Sequence, residues 1–185
     1  MAKTLDEILG ELDTEVAEFH QALGNCILAW SSIEFALSRM LSLAFPPGAE
    51  DALYAAFFSV PSFHSKLNLT DSALSVTFNG HDVLTRWGTL KNKLIRKASV
   101  RNVRAHASAV QQADAQKGKR VFIIANGMNP ASFPAVSGSP FVNYYQADLE
   151  TAASRWRQIA ITNIAHLQFE LEGLTGRSPW PAKSP

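Results

Sequence analysis

The stretch that decides the fold is Cys26–Phe45, CILAWSSIEFALSRMLSLAF. Its apolar residues recur in steps of three and four, and the pattern extends back to Val16. The sequence Phe45-Pro46-Pro47-Gly48 then ends it, because proline cannot continue a helix. Since Glu34 and Arg39 lie within this window, the pattern predicts a long, buried amphipathic helix rather than a membrane span.

The rest of the chain predicts further helices and one β-rich segment. Helices are expected over Ala49–Val60, Ser62–Asn79, Asp82–His106 and Asp148–Leu174. Strands are expected within about 107–146, around a loop rich in glycine and proline at Asn126–Pro140. The predicted fold is mainly α: a helical bundle over residues 1–175 with a small β insertion between its last two helices, and a proline-rich tail at 176–185.

Composition is that of a globular protein of 185 residues, with one cysteine. A single cysteine excludes an intramolecular disulfide and fits a reducing compartment. The N-terminal residues turn acidic where a signal peptide would be apolar, so a cytoplasmic location is expected. No pattern of metal ligands or of a phosphate-binding loop is present, so neither a metal nor a cofactor is expected.

The net charge of +1 hides a strong asymmetry. Residues 1–50 include eight acidic residues and two basic ones, whereas residues 86–120 include ten basic residues and one acidic one. Such clustering is the expected footprint of a polyanion-binding surface. It fits equally a solvated helix face that balances the acidic half of the chain. The basic residues are Arg86, Lys91, Lys93, Arg96, Lys97, Arg101, Arg104, Lys117, Lys119 and Arg120.

Two charged residues occupy core-facing positions in the predicted helices. Glu34 lies four residues after Trp30 and three before Leu37, and Arg101 lies between Ala98 and Ala105. A charge in an apolar seam needs a partner. The simplest solution is that Glu34 pairs with Arg101.

Arg101-Asn102-Val103-Arg104-Ala105-His106 combines a permanently charged guanidinium with a titratable imidazole. On an ideal helix, Arg101 and His106 are separated by roughly 140° and ~7.5 Å of rise, whereas Asn102 and His106 share a face. For Arg101 and His106 to act together, the arginine must reach round, the helix must distort, or a second copy of the chain must complete the site. The same residues are also compatible with a polar cluster of purely structural role.

The Arg101-x4-His106 segment resembles the Arg-x(4–6)-His motif of HEPN domains. Three further features resemble bacterial HEPN-like proteins: Trp30-x-x-Ile33-Glu34, Ser62-Phe63-x-x-Lys66-Leu67, and the helix that leads from Trp87-x-x-Leu90 to Arg101-Asn102. The resemblance covers most of residues 15–170. The β insertion is a departure from the family pattern.

The resemblance implies an antiparallel helical bundle that forms a homodimer, with both motifs facing a shared cleft. It implies a metal-independent ribonuclease, with RNA as substrate and an antitoxin or nucleotidyltransferase as partner. His106 would be the general acid or base, Arg101 would bind the scissile phosphate, Asn102 would orient it, and Glu34 would hold Arg101. The alternative is a non-catalytic bundle that binds nucleic acid, a nucleotide or a protein through its basic face.

Other side chains fit structural roles. Spacing predicts that Trp30, Trp87 and Trp156 are core aromatics. His64 and Lys66, at a helix start, are predicted to be solvated. Cys26, in an apolar helix, is predicted to be inert.

Overall fold

The computed structural model of the protein describes the backbone of residues 5–106, 108–114, 119–125, 141–144 and 146–176. Side chains are described for residues 13–14, 16–102 and 149–176. The described chain is mainly helical, as predicted. Its elements in chain order are α1 (Leu5–Leu43), α2 (Glu50–Ser59), α3 (Phe63–Thr77), α4 (Val83–His106), β1 (Ser108–Asp114), β2 (Lys119–Ala125), β3 (Phe141–Tyr144), α5 (Gln146–Gln158), a π-helical segment (Ile159–Ile164) and α6 (Ala165–Thr175).

The long apolar stripe forms one helix of 39 residues, α1. It ends at Leu43, three residues before Pro46, where the amide of Ala44 donates to the carbonyl of Leu41 at 3.1 Å in a tightened last turn. Gly48 follows with φ of 93°, a left-handed conformation that glycine adopts without strain. The predicted stop signal is therefore where the helix ends.

Local signals also set the starts of the next helices. The Ser62 hydroxyl accepts a hydrogen bond from the amide of Ser65 at 3.0 Å and caps α3. Helix α4 begins at Val83, directly after Asp82. The last predicted helix is expected from Asp148, whereas α5 begins two residues earlier, at Gln146, so that Asp148 lies in its first turn.

The segment between α4 and α5 contains three strands in the order β1-β2-β3, both pairs antiparallel. In β1 and β2, Ser108 is opposite Ala125 and Asp114 is opposite Lys119. In β2 and β3, Phe122 is opposite Tyr144. The predicted loop at Asn126–Pro140 and the tail from residue 177 onward lie outside the described residues.

The chain divides into two compact units. The first consists of Met1–Ala29 and Val100–Arg155, and the second of Trp30–Ser99 and Trp156–Pro185. In the first unit, the buried side chains include Phe19, Cys26 and Leu149. The second unit contains the three predicted core tryptophans, all buried, and its helical packing is consistent with a helical bundle.

Aromatic packing is the central feature of the second unit's core. The ring of Trp30 lies 5.1 Å from that of Trp156 in an edge-on arrangement and 4.6 Å from that of Phe63. Such pairs are more favourable than their buried area alone accounts for. Further buried side chains around them are Ile33, Leu37, Met40, Leu67, Leu74, Trp87, Leu94, Ile164 and Leu171.

Candidate functional site

The motif residues lie at the end of α4. The backbone is helical through Arg101, Asn102 and His106. Arg101 is half-buried, and its Nη1 donates a hydrogen bond to Oδ1 of the exposed Asn102 at 3.1 Å. The structure thus brings Arg101 and Asn102 into contact, while the side chain of His106 lies outside the described residues.

Glu34 is buried in the apolar seam of α1, as its spacing predicts. Its Oε2 accepts a hydrogen bond from Nζ of Lys66 at 2.6 Å, and its Oε1 accepts one from Nε1 of Trp30 at 3.0 Å. Both charged side chains are close to nine-tenths buried, at 11% exposure for Lys66 and 12% for Glu34. A buried charge pair of this kind is stable only when its remaining polar atoms are also hydrogen-bonded.

Lys66 is also surrounded by aromatic rings. Its Nζ lies 4.9 Å from the ring centroid of Phe58 and 5.4 Å from that of Phe57. The faces of these rings attract the ammonium group electrostatically, which stabilises it in this position. The prediction that Lys66 is solvated is therefore wrong, whereas His64 is exposed as predicted.

The position of Lys66 along its helix indicates that its side chain is buried. On α3, Phe63, Lys66, Thr70 and Leu74 follow one another in steps of three and four, and all four are buried. The position, rather than the residue type, predicted burial. Lys66 supplies the charge that compensates Glu34, which the sequence assigned to Arg101. That Glu34 also holds Arg101 stays a prediction.

A second site of the same composition joins α3 to α4. Asp71 Oδ1 accepts from Nε1 of Trp87 at 2.8 Å, and its Oδ2 accepts from Nζ of Lys91 at 2.6 Å. Burial alone would raise the pKa of Asp71, but the hydrogen bonds from Lys91 and Trp87 and the charge of Lys91 outweigh it, so this pKa lies below its ordinary value. The same combination of a tryptophan, a carboxylate and a lysine therefore occurs twice in the structure, which the sequence did not reveal.

The basic residues of α4 serve different purposes. Lys91 pairs with Asp71, and Arg86 pairs with Glu170 of α6, whose Oε2 lies 2.6 Å from Nη2 of the arginine. Within the described side chains, Lys93 and Arg96 form neither an ion pair nor a side-chain hydrogen bond. They line a cavity of about 500 Å³ in the second unit.

Two general properties bear on the class of site. Among the described side chains, no three histidine, cysteine, aspartate or glutamate residues are grouped so as to hold a metal ion. Val16–Leu43 of α1 is long and apolar enough to cross a membrane, and 61% of its most apolar window is buried within the protein. The buried core helix of a soluble protein and a signal sequence can meet the same criteria of length and hydropathy.

Comparison of the chain with protein-family models, with curated proteins and with solved structures gives no match. The side-chain chemistry and geometry of the described residues therefore carry the functional argument.

Proposed function

We propose that the protein is a metal-independent endoribonuclease of the HEPN type. The observation that carries the proposal is that Arg101, Asn102 and His106 belong to one continuous helix, with the half-buried arginine hydrogen-bonded to Asn102. A guanidinium held in this way is oriented before a phosphate arrives, which lowers the entropy lost on binding.

The proposed chemistry needs no metal because RNA carries its own nucleophile. His106 takes the proton of the ribose 2′-OH, and the 2′-oxygen attacks the adjacent phosphorus. The P–O5′ bond breaks, the imidazolium returns its proton to the leaving 5′-oxygen, and a 2′,3′-cyclic phosphate and a 5′-hydroxyl result. Arg101 stabilises the negative charge of the pentacoordinate phosphorus, and Asn102 orients a phosphate oxygen.

The setting follows from the same resemblance. The protein would act in the cytoplasm as a homodimer, as a toxin or phage-defence effector, with an antitoxin or a nucleotidyltransferase as partner. Residues 107–146 would form a β insertion that shapes access to the cleft.

Cleavage of RNA in the presence of EDTA tests the proposal. Wild type is expected to leave 2′,3′-cyclic phosphate ends, and Arg101→Ala and His106→Ala are each expected to lose activity by about 100-fold or more. His64→Ala is the matched control, since this exposed histidine lies on α3 outside the motif. Inactive wild type, or equal activity in wild type and both motif variants, contradicts the proposal.

A second candidate is a non-catalytic module that binds nucleic acid. Lys93 and Arg96 favour it, because two cations that line a cavity without an ion pair among the described side chains are suited to phosphates. Tight RNA binding by a wild-type protein that does not cleave RNA distinguishes this candidate from the first.

A further inference from the structure

A groove in the second unit has the chemistry of a nucleic-acid binding site. One wall consists of α4 residues and the other of residues from the π-helical segment and α6. Its volume of about 500 Å³ is that of a typical ligand pocket. The lining residues are Arg86, Thr89, Leu90, Lys93, Arg96, Thr162, Asn163, His166 and Leu167.

The α4 wall presents a row of three basic side chains. Arg86, Lys93 and Arg96 follow one another at helical spacing along this wall, and the lining includes no acidic residue. Arg86 and Arg96 are ten positions apart, which corresponds to a rise of about 15 Å along an ideal helix. A stacked strand advances about 3.4 Å per phosphate, so the row matches roughly four phosphates.

The opposite wall presents hydrogen-bonding groups and one aromatic ring. Thr162 and Asn163 are exposed on the π-helical segment, a backbone form that recurs at functional sites. The imidazole of His166 is 70% exposed, and the buried Leu90 and Leu167 form an apolar floor. An imidazole over an apolar floor can stack on a base, and an amide can bond to a base edge.

We infer that this groove binds single-stranded RNA, with Lys93 and Arg96 on consecutive phosphates and one base stacked on His166. The inference rests on the proposal that RNA is the substrate, and it adds a binding site for RNA to the one proposed for the motif. An acidic peptide would use the cations alone. The ring, the amide and the apolar floor favour a nucleic acid.

Glu170 limits the charge of the groove. Its Oε2 accepts from Nε and Nη2 of Arg86 at 3.0 and 2.6 Å, and its Oε1 lies 3.2 Å from Nδ1 of His166. The carboxylate positions both side chains and lowers the net positive charge near them. In Glu170→Gln the acceptor for Arg86 is kept while the negative charge is removed.

Fluorescence anisotropy with a labelled single-stranded RNA of twelve nucleotides tests the inference. All proteins carry His106→Ala so that the RNA stays intact. Lys93→Gln combined with Arg96→Gln is expected to raise the Kd for RNA by about 10-fold and to reduce the slope of log K against log salt by about 1.4. Arg155→Gln combined with Arg157→Gln removes two exposed cations of α5 that do not line the groove, and it is expected to change the Kd by less than about 2-fold.

The Glu170→Gln variant is expected to bind RNA more tightly, which is the opposite of the change expected for the Lys93/Arg96 variant. It is expected to lower the Kd by about 2-fold or more, because an anion beside the phosphates is lost. Unchanged or weaker binding overturns the roles of Arg86 and His166. Circular dichroism and thermal unfolding check that each variant keeps the fold.

Three results overturn the inference: an unchanged Kd in the Lys93/Arg96 variant, an equal loss in the Arg155/Arg157 control, or equally tight binding of a poly-aspartate peptide. Its failure differs from failure of the proposed nuclease. If wild type leaves RNA intact while the Lys93/Arg96 variant loses binding, the groove stands without the nuclease. If RNA is cleaved with an unchanged KM in the Lys93/Arg96 variant made on the wild-type background, the nuclease stands without the groove.

Discussion

Lys66 lies in an environment that is unusual for a lysine. A lysine rarely lies buried unless it is paired, and here the Glu34 carboxylate lies 2.6 Å from Nζ while aromatic rings cover the ammonium group. The attraction between the two charges offsets the hydration that both groups lose on burial.

We predict that Lys66→Met lowers the free energy of unfolding by about 3 kcal/mol, because it removes the buried ammonium group that lies 2.6 Å from the Glu34 carboxylate. Adding Glu34→Gln to that variant is expected to restore most of the loss. Glutamine is neutral, and its carbonyl oxygen keeps an acceptor for Nε1 of Trp30. Urea unfolding of wild type, both single variants and the double variant measures the coupling.

Additive losses in this double-mutant cycle contradict the prediction, since they would mean that the two side chains act independently. The motif histidine offers a comparison. His106→Ala is expected to leave stability nearly unchanged, which separates the structural Glu34–Lys66 pair from the proposed chemistry.

At the scale of elements, the end of α1 and the start of α3 could be predicted, whereas the start of α5 and the contacts between helices could not. Pro46 and the Ser62 cap affect only residues close to them in the sequence. Local sequence therefore determines where α1 ends and where α3 begins. The Glu34–Lys66 pair joins residues 32 positions apart, and no local pattern specifies it. The π-helical segment was also missed, because its apolar spacing matches that of an α-helix.

Asp71 gives the contact between α3 and α4 a dependence on pH. Asp71→Asn removes the counter-charge of Lys91 and weakens the bond from Trp87, so it is expected to cost about 2 kcal/mol at neutral pH. The folded-state pKa of this carboxyl lies below the ordinary value of 3.8. The contribution is therefore fully present above that value and is lost as pH falls through the folded-state pKa.

Urea unfolding of wild type and Asp71→Asn across a pH series measures this dependence. The difference in unfolding free energy is expected to hold steady from neutral pH down to about 5 and to shrink below about 4. Asp51→Asn, at an exposed position of α2, is the control and should show no such trend. A difference that stays constant in acid contradicts a role for the ionised carboxylate.

At the scale of the whole molecule, the sequence placed most of the candidate site correctly on its elements but could not show how the site is completed. Arg101 and Asn102 are in contact on α4, and both belong to the helix that ends at His106. Helical geometry sets Arg101 and His106 roughly 140° apart, which disfavours joint action within one undistorted helix. A second protomer is the arrangement that the proposed chemistry favours.

Mixing two inactive variants tests this arrangement. If each site takes Arg101 from one protomer and His106 from the other, a heterodimer of Arg101→Ala and His106→Ala protomers contains one intact site. Random exchange makes about half of the dimers heterodimeric, so an equimolar mixture is expected to regain about a quarter of the wild-type cleavage rate. Each variant mixed with itself should stay inactive. Absence of recovery, although native mass spectrometry shows heterodimers, would place both residues of each site in the same protomer. It would then require α4 to depart from ideal helical geometry between Arg101 and His106.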